Sequence, residues 1–125
     1  MPQARILIAE DDESTGMGLA EWLEGEGYSV RVVKSFEDGV NILRANPPDL
    51  LIADIRLGSF NGLQLVIRAH SAVPAIVITG YDDPVLAENA RSFGAAYFVK
   101  PIDSAAVLAT IARAIGASKE SSQSL

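Results

Sequence analysis

The feature that most constrains the fold is the alternation of five short apolar segments with five segments of helical pattern. The apolar segments are residues 5–9, 28–33, 50–53, 75–78 and 97–99. The segments with apolar residues at helical spacing are residues 14–26, 35–45, 63–69, 84–93 and 103–115. Strands that alternate with helices are joined by right-handed crossovers and form a parallel sheet covered by helices on both faces. The sequence therefore predicts a doubly wound α/β fold.

Local signals support these boundaries. Four of the apolar segments are continuous, as in strands covered on both faces, whereas residues 28–33 include Ser29 and Arg31, as in a strand near a sheet edge. Gly27 follows the first helical segment, and Ser35 with Asp38 resembles a capping box at the start of the second. These residues predict where the first two helices end and begin.

Length and composition limit the possible functions. A chain of 125 residues has room for one domain, which we place at residues 1–116, with residues 117–125 as a polar flexible tail or the start of a linker. The net charge of −6 argues against direct binding to nucleic acid or anionic membranes. No apolar segment is long enough to span a bilayer, and the absence of cysteine is compatible with a cytoplasmic location.

Polar residues end four of the five apolar segments. They are Glu10 with Asp11, then Asp54, Thr79 and Lys100. In open parallel sheets, ligands bind beyond the carboxyl ends of the strands, where the strand order reverses. We therefore expect these side chains to gather at one edge of the sheet and to form the functional site.

The acids of this group predict a cation site. Two carboxylates about 4 Å apart repel by roughly 4 kcal/mol at an effective dielectric constant near 20, so Glu10, Asp11 and Asp54 would need protons or a cation. Oxygen ligands favour a hard ion such as Mg²⁺. The alternative is that this acidic run only caps the first helix, which is the role we assign to Asp12 and Glu13.

Asp54, Lys100 and Thr79 can also be interpreted individually. Asp54 follows an apolar run and is either an ion-pair partner or a nucleophile toward phosphorus. Lys100 must find an anion, either one of the acids or a phosphoryl oxygen. Thr79 offers a hydroxyl, and Gly80 frees a backbone N–H to approach an anion. Together with the acids, these residues predict a phosphoryl-transfer pocket.

One apparent nucleotide motif is rejected. The sequence GMG at residues 16–18 resembles part of a dinucleotide fingerprint, but it lies inside the first helical segment. A fingerprint of that kind stands between a strand and a helix, where it contacts a pyrophosphate. We therefore assign no nucleotide-binding role to this segment.

Over residues 4–116 the sequence resembles the receiver domains of two-component response regulators. The matching motifs are ILIAEDDE, DLLIADIRLGSFNG, AIVITG and FGAAYFVKP. The resemblance implies a flavodoxin-like, three-layer sandwich with a five-stranded parallel sheet of order 2-1-3-4-5. It also implies a signalling protein that catalyses only its own phosphorylation and dephosphorylation.

The resemblance further assigns roles to the residues of the predicted site. Asp54 would accept a phosphoryl group from a sensor histidine kinase or a histidine phosphotransfer protein, and Lys100 would bridge to that group. Glu10, Asp11, Asp54 and the backbone carbonyl of Arg56 would hold Mg²⁺ or Mn²⁺.

It also implies a conformational switch. Thr79 would turn toward the phosphoryl group, Tyr97 would follow it, and the surface of the fourth helix, fifth strand and fifth helix would change for an unknown downstream protein. Arg56, Gly80 and Tyr81 would line the approach to the site. We hypothesise that Tyr81 hinders an attacking water and prolongs the phosphorylated state.

Two other functions remain possible at this point. A receiver that is not phosphorylated could serve only as a binding module. A small magnesium-dependent phosphatase could act through an aspartyl phosphate, but no acid stands two residues after Asp54 and 125 residues leave little room for a cap over a substrate.

Overall fold

The computed structural model describes residues 3–55, 62–70 and 72–123, and it describes side chains as far as residue 116. Five strands and five helices alternate along these residues. The strands are β1 Arg5–Ala9, β2 Ser29–Val33, β3 Leu50–Ile55, β4 Ala75–Thr79 and β5 Ala96–Val99. The helices are α1 Glu13–Gly25, α2 Phe36–Ala45, α3 Gly62–Ala69, α4 Pro84–Ser92 and α5 Ser104–Gln123.

The strands form one parallel sheet of order β2-β1-β3-β4-β5. The strand order reverses between β1 and β3, so the ends of these two strands define the position where such folds bind ligands. The predicted doubly wound, flavodoxin-like fold and its strand order are confirmed.

The sheet has a hydrophobic core on each face, and successive side chains of a strand point alternately into the two cores. Leu7, Leu51 and Val77 face one core, which packs against side chains of α2, α3 and α4. Ile8 and Ile52 face the other, which packs against α1 and α5. Because successive strand residues point to opposite faces, a continuous apolar strand is what a sheet between two helical layers requires.

Side-chain caps fix the helix boundaries. The Asp12 carboxylate accepts a hydrogen bond from the Thr15 amide at 3.0 Å, which confirms its role as the cap of α1. The Ser35 hydroxyl accepts one from the Asp38 amide at 3.1 Å and begins α2. Gly27, just beyond α1, has a φ of 98°, a conformation that glycine adopts without steric cost.

Two predicted boundaries are wrong. Strand β3 continues through Ile55, so Asp54 lies inside a strand rather than after one. Helix α5 continues to Gln123, beyond its predicted end at residue 115 and into the segment that we place as a polar flexible tail or the start of a linker. As far as Gln123 this segment contains alanine, lysine, glutamate and glutamine, which are good helix formers, and no proline. No helix in the described part of the chain is long and apolar enough to cross a membrane.

Candidate functional site

The site lies at the carboxyl edge of the sheet because neighbouring parallel strands end there in register. Asp54 pairs with Ile78 across β3 and β4, one residue before Thr79 at the end of β4. The Lys100 amide donates a 2.8 Å hydrogen bond to the Thr79 carbonyl. Glu10 directly follows β1, and β1 pairs with β3 on the side of β3 opposite to β4. The predicted gathering of these residues at one edge is therefore observed.

Asp54 and Lys100 form an ion pair at the centre of this edge. The Asp54 side chain is 0% exposed, and its Oδ2 lies 2.8 Å from Lys100 Nζ. Apart from this ion pair, neither Asp54 oxygen has a hydrogen-bond partner among the described residues. The Lys100 side chain is 39% exposed, so a fully buried carboxylate is paired with a lysine that remains in contact with solvent.

Glu10 is a second fully buried acid beside Asp54. The pKa of the Glu10 carboxyl is raised from 4.5 to about 8. Burial is the largest cause, and the neighbouring Asp54 and Asp11 carboxyls contribute in the same direction. A hydrogen bond of 2.8 Å from the Asp12 amide to Glu10 Oε1 acts in the opposite direction. Glu10 Oε2 has no hydrogen-bond partner within the described ranges. This carboxyl therefore holds a proton at neutral pH unless a cation replaces it.

The donor set fits a magnesium ion, although it does not form a closed metal cage. Within residues 3–55, 62–70 and 72–123, no three acidic, histidine or cysteine side chains are arranged to hold a metal. Mg²⁺ needs only one or two carboxylates because it keeps several of its waters. Buried oxygens without hydrogen-bond partners on Glu10 and Asp54 are suitable ligands. The predicted ligand Arg56 lies outside the described residues.

Thr79 and the residues after it form the opposite side of the site. Thr79 is buried, and its Oγ1 accepts a hydrogen bond from the Tyr81 amide at 3.2 Å. The Tyr81 side chain is 68% exposed. A Cβ at Gly80 would meet no atom within 4 Å, so packing does not require glycine there. The roles of Gly80 and Tyr81 in access to the site remain predictions.

The Tyr97 hydroxyl contacts the same loop. It accepts a hydrogen bond from the Asp83 amide at 2.9 Å and lies 3.3 Å from the Tyr81 carbonyl oxygen, to which it can donate. Asp83 in turn caps α4. Tyr81 is therefore bonded through its amide to Thr79 and through its carbonyl to Tyr97. The resemblance implies that Tyr97 follows Thr79 when Thr79 moves. The backbone of Tyr81 links the two side chains in this structure.

One residue beside the site was not identified from the sequence as important. Gly16 in α1 is buried against Val32 and Glu10, and its lack of a side chain permits the contact. Its only signal in the sequence is the presence of a glycine within a helical segment, as part of the sequence GMG. A contact between distant segments cannot be read from spacing along the chain.

Comparison with known proteins identifies the class of protein. A sequence model described as the response regulator receiver domain matches residues 6–112. The chain therefore belongs to the receiver domain family of response regulators. The family of two-component regulators inferred from the motifs is confirmed.

Relatives with assigned roles are longer than this chain. The acid tolerance regulatory protein ActR of Sinorhizobium medicae is 33% identical over 114 residues, which cover 88% of this chain and 59% of ActR. The transcriptional regulatory protein PdtaR of Mycobacterium tuberculosis is 33% identical over 120 residues, covering 93% of this chain and 58% of PdtaR. The chain thus spans a little more than half of the length of these regulators.

Solved structures show the same architecture. A CheY-like receiver domain protein from Methanospirillum hungatei superimposes with a TM-score of 0.85 at 27% identity, covering 96% of this chain and 99% of that chain. A response regulator protein from Burkholderia pseudomallei, whose structure contains a phosphorylated aspartic acid, a calcium ion and citrate, gives a TM-score of 0.79 at 26% identity. That match covers 98% of this chain and 75% of the Burkholderia chain.

Proposed function

We propose that this receiver domain accepts a phosphoryl group on Asp54 from a phosphohistidine of a sensor histidine kinase or a phosphotransfer protein. The observation that supports this most strongly is the state of Asp54. Its carboxylate is buried without a hydrogen-bond partner among the described residues, and its one described countercharge is a lysine that remains partly exposed. A purely structural buried carboxylate would normally be satisfied by hydrogen bonds.

The chain's residues can assist this transfer in a balanced step. An Asp54 oxygen attacks phosphorus while the bond from phosphorus to the donor's imidazole nitrogen breaks. The electron pair leaves with that nitrogen, which takes up a proton from solvent. Lys100, 2.8 Å from Oδ2, is placed to neutralise charge that develops on the phosphoryl oxygens.

A divalent cation completes the proposal. Glu10, Asp11 and Asp54 would hold Mg²⁺ or Mn²⁺, either directly or through waters that the ion keeps, together with the carbonyl of Arg56. When bound, the cation neutralises negative charge on the acids and on the transferring group. Glu10 must lose its proton to serve as a ligand, because a ligating carboxylate is ionised.

The proposed output is a change in the surface of α4, β5 and α5. Thr79 must release the Tyr81 amide to reach a phosphoryl oxygen, and Tyr97 must release the loop before it can move. Phosphorylation shifts this equilibrium only by interacting better with the second arrangement. The changed surface would act on a downstream protein, in the cytoplasm, without direct contact of this domain to nucleic acid.

The test is the intact mass of the protein after incubation with acetyl phosphate and Mg²⁺. We expect a gain of about 80 Da, the mass of one phosphoryl group, which Asp54→Asn and EDTA each abolish. An adduct that persists in Asp54→Asn would contradict the assignment of the nucleophile. Absence of any adduct would favour a binding module that is not phosphorylated, and turnover of a phosphomonoester would favour a phosphatase.

A further inference from the structure

Helix α1 packs against the site through a glycine. A Cβ built on Gly16 would lie 2.9 Å from Val32 Cγ1 and 3.7 Å from both Cβ and Cγ of Glu10. The first distance is shorter than carbon atoms tolerate, because optimal separations between them are about 3.5–4.0 Å. Gly18, an exposed residue two positions further along the same helix, has no atom within 4 Å of the corresponding Cβ position. Among the glycines of α1, the close approach therefore occurs at Gly16 and not at Gly18 or Gly25.

Hydrogen bonds connect this contact to the Glu10 carboxylate. The Gly16 amide donates to the Asp12 carbonyl at 3.0 Å, and the Asp12 amide donates to Glu10 Oε1 at 2.8 Å. Asp11 lies between Glu10 and Asp12 in the chain, so the first turn of α1 also sets the position of Asp11. The depth at which α1 packs on the sheet thus determines where two of the proposed cation ligands lie.

We propose that Gly16 is a positioning residue for the divalent cation site. This inference rests on the proposed function, which makes Glu10 and Asp11 ligands of the cation. With no side chain at Gly16, α1 packs directly on Val32 and on the stem of Glu10, and the Asp12 amide reaches the carboxylate. A larger residue moves the first turn of α1 away from the sheet and lengthens that hydrogen bond.

The strand side of the contact cannot easily yield. Val32 pairs with Ile8 in the register of β1 and β2, and the Glu10 amide donates to the Val33 carbonyl at 3.0 Å. Valine is also branched at Cβ, which restricts its side chain to few rotamers. The displacement caused by a methyl group at Gly16 therefore falls mainly on α1 and on Glu10.

The first measurement is the affinity for Mg²⁺ by isothermal titration calorimetry. We expect Gly16→Ala to weaken binding roughly 10- to 100-fold, as changes in the residues that orient metal ligands commonly do. Gly18→Ala is the matched control and should bind as the wild type does. The double variant Gly16→Ala/Val32→Ala should regain most of the affinity, since it lacks the atom at 2.9 Å; Val32→Ala alone supplies its reference.

The second measurement is hydrogen exchange at the Asp12 amide in EDTA, which reports its bond to Glu10 without any metal. We expect faster exchange in Gly16→Ala, and near wild-type exchange in Gly18→Ala and in the double variant. Unchanged Mg²⁺ affinity and unchanged exchange in Gly16→Ala would overturn the proposal, as would equal losses in Gly18→Ala. Failure of the wild-type protein to bind Mg²⁺ would refute the proposed function. The exchange data would then show only whether Gly16 positions the Asp12 amide against Glu10.

Discussion

Replacement of Glu10 by glutamine should stabilise the metal-free protein. The Glu10 carboxyl is fully buried and its pKa is raised from 4.5 to about 8. At pH 7 the folded protein must therefore take up a proton that the unfolded chain does not bind. One unit of pKa corresponds to about 1.4 kcal/mol, so this uptake costs on the order of 3 kcal/mol at pH 7. Glutamine retains an acceptor for the Asp12 amide and needs no proton.

The effect should depend on pH with a definite sign. Because the pKa of Glu10 is higher in the folded state, the folded protein binds more protons between pH 4.5 and about 8. The contribution of Glu10 to wild-type stability is therefore greatest below pH 4.5 and is lost as the pH rises to about 8. The advantage of Glu10→Gln should be absent at pH 4.5, increase through neutrality and level off above pH 8.

Urea unfolding at several pH values in EDTA measures this difference. Glu21→Gln, the same substitution at an exposed position of α1, should show no comparable dependence on pH. Saturating Mg²⁺ should stabilise the wild type more than Glu10→Gln, because a ligand that binds only the folded state adds about 2.7 kcal/mol at 100 times its dissociation constant. An advantage of Glu10→Gln that is the same at pH 4.5 and pH 8 would refute the reasoning.

Three further predictions concern packing, transfer and lifetime. Gly39→Ala should lower the free energy of unfolding by about 1–3 kcal/mol, because its Cβ would lie 2.8 Å from two methyl carbons of the buried Leu65. Gly18→Ala should not destabilise the protein, because a Cβ there meets no atom within 4 Å. Equal free energies of unfolding for the two variants in urea would contradict this prediction. Lys100→Met should slow labelling by acetyl phosphate roughly 100-fold, followed by intact mass, and labelling at the wild-type rate would exclude its proposed role. Tyr81→Ala should lose its phosphoryl group faster than the wild type, and an unchanged rate would disprove the shielding hypothesis.

The order of helices and strands, and the edge of the sheet where the site lies, can be inferred from residue patterns alone. A continuously apolar strand must be covered on both faces, and an amphipathic helix must bury one face. A sheet between two helical layers satisfies both requirements. The polar residues at or near the ends of those runs then lie at the same edge of any parallel sheet that the strands form. Caps such as Asp12 and Ser35 were also recognisable, since they depend on neighbours only a few residues away.

The interactions among the site residues depend on how distant segments pack in the folded chain. The raised pKa of Glu10 follows from burial beside Asp54, and the link from Thr79 through Tyr81 to Tyr97 joins β4 to β5. The contact of Gly16 with Val32 likewise depends on how closely α1 approaches the sheet. These features depend on distances between segments far apart in the chain, which periodicity does not specify. Residue patterns therefore identify the participants in the site, whereas packing sets their charges and positions.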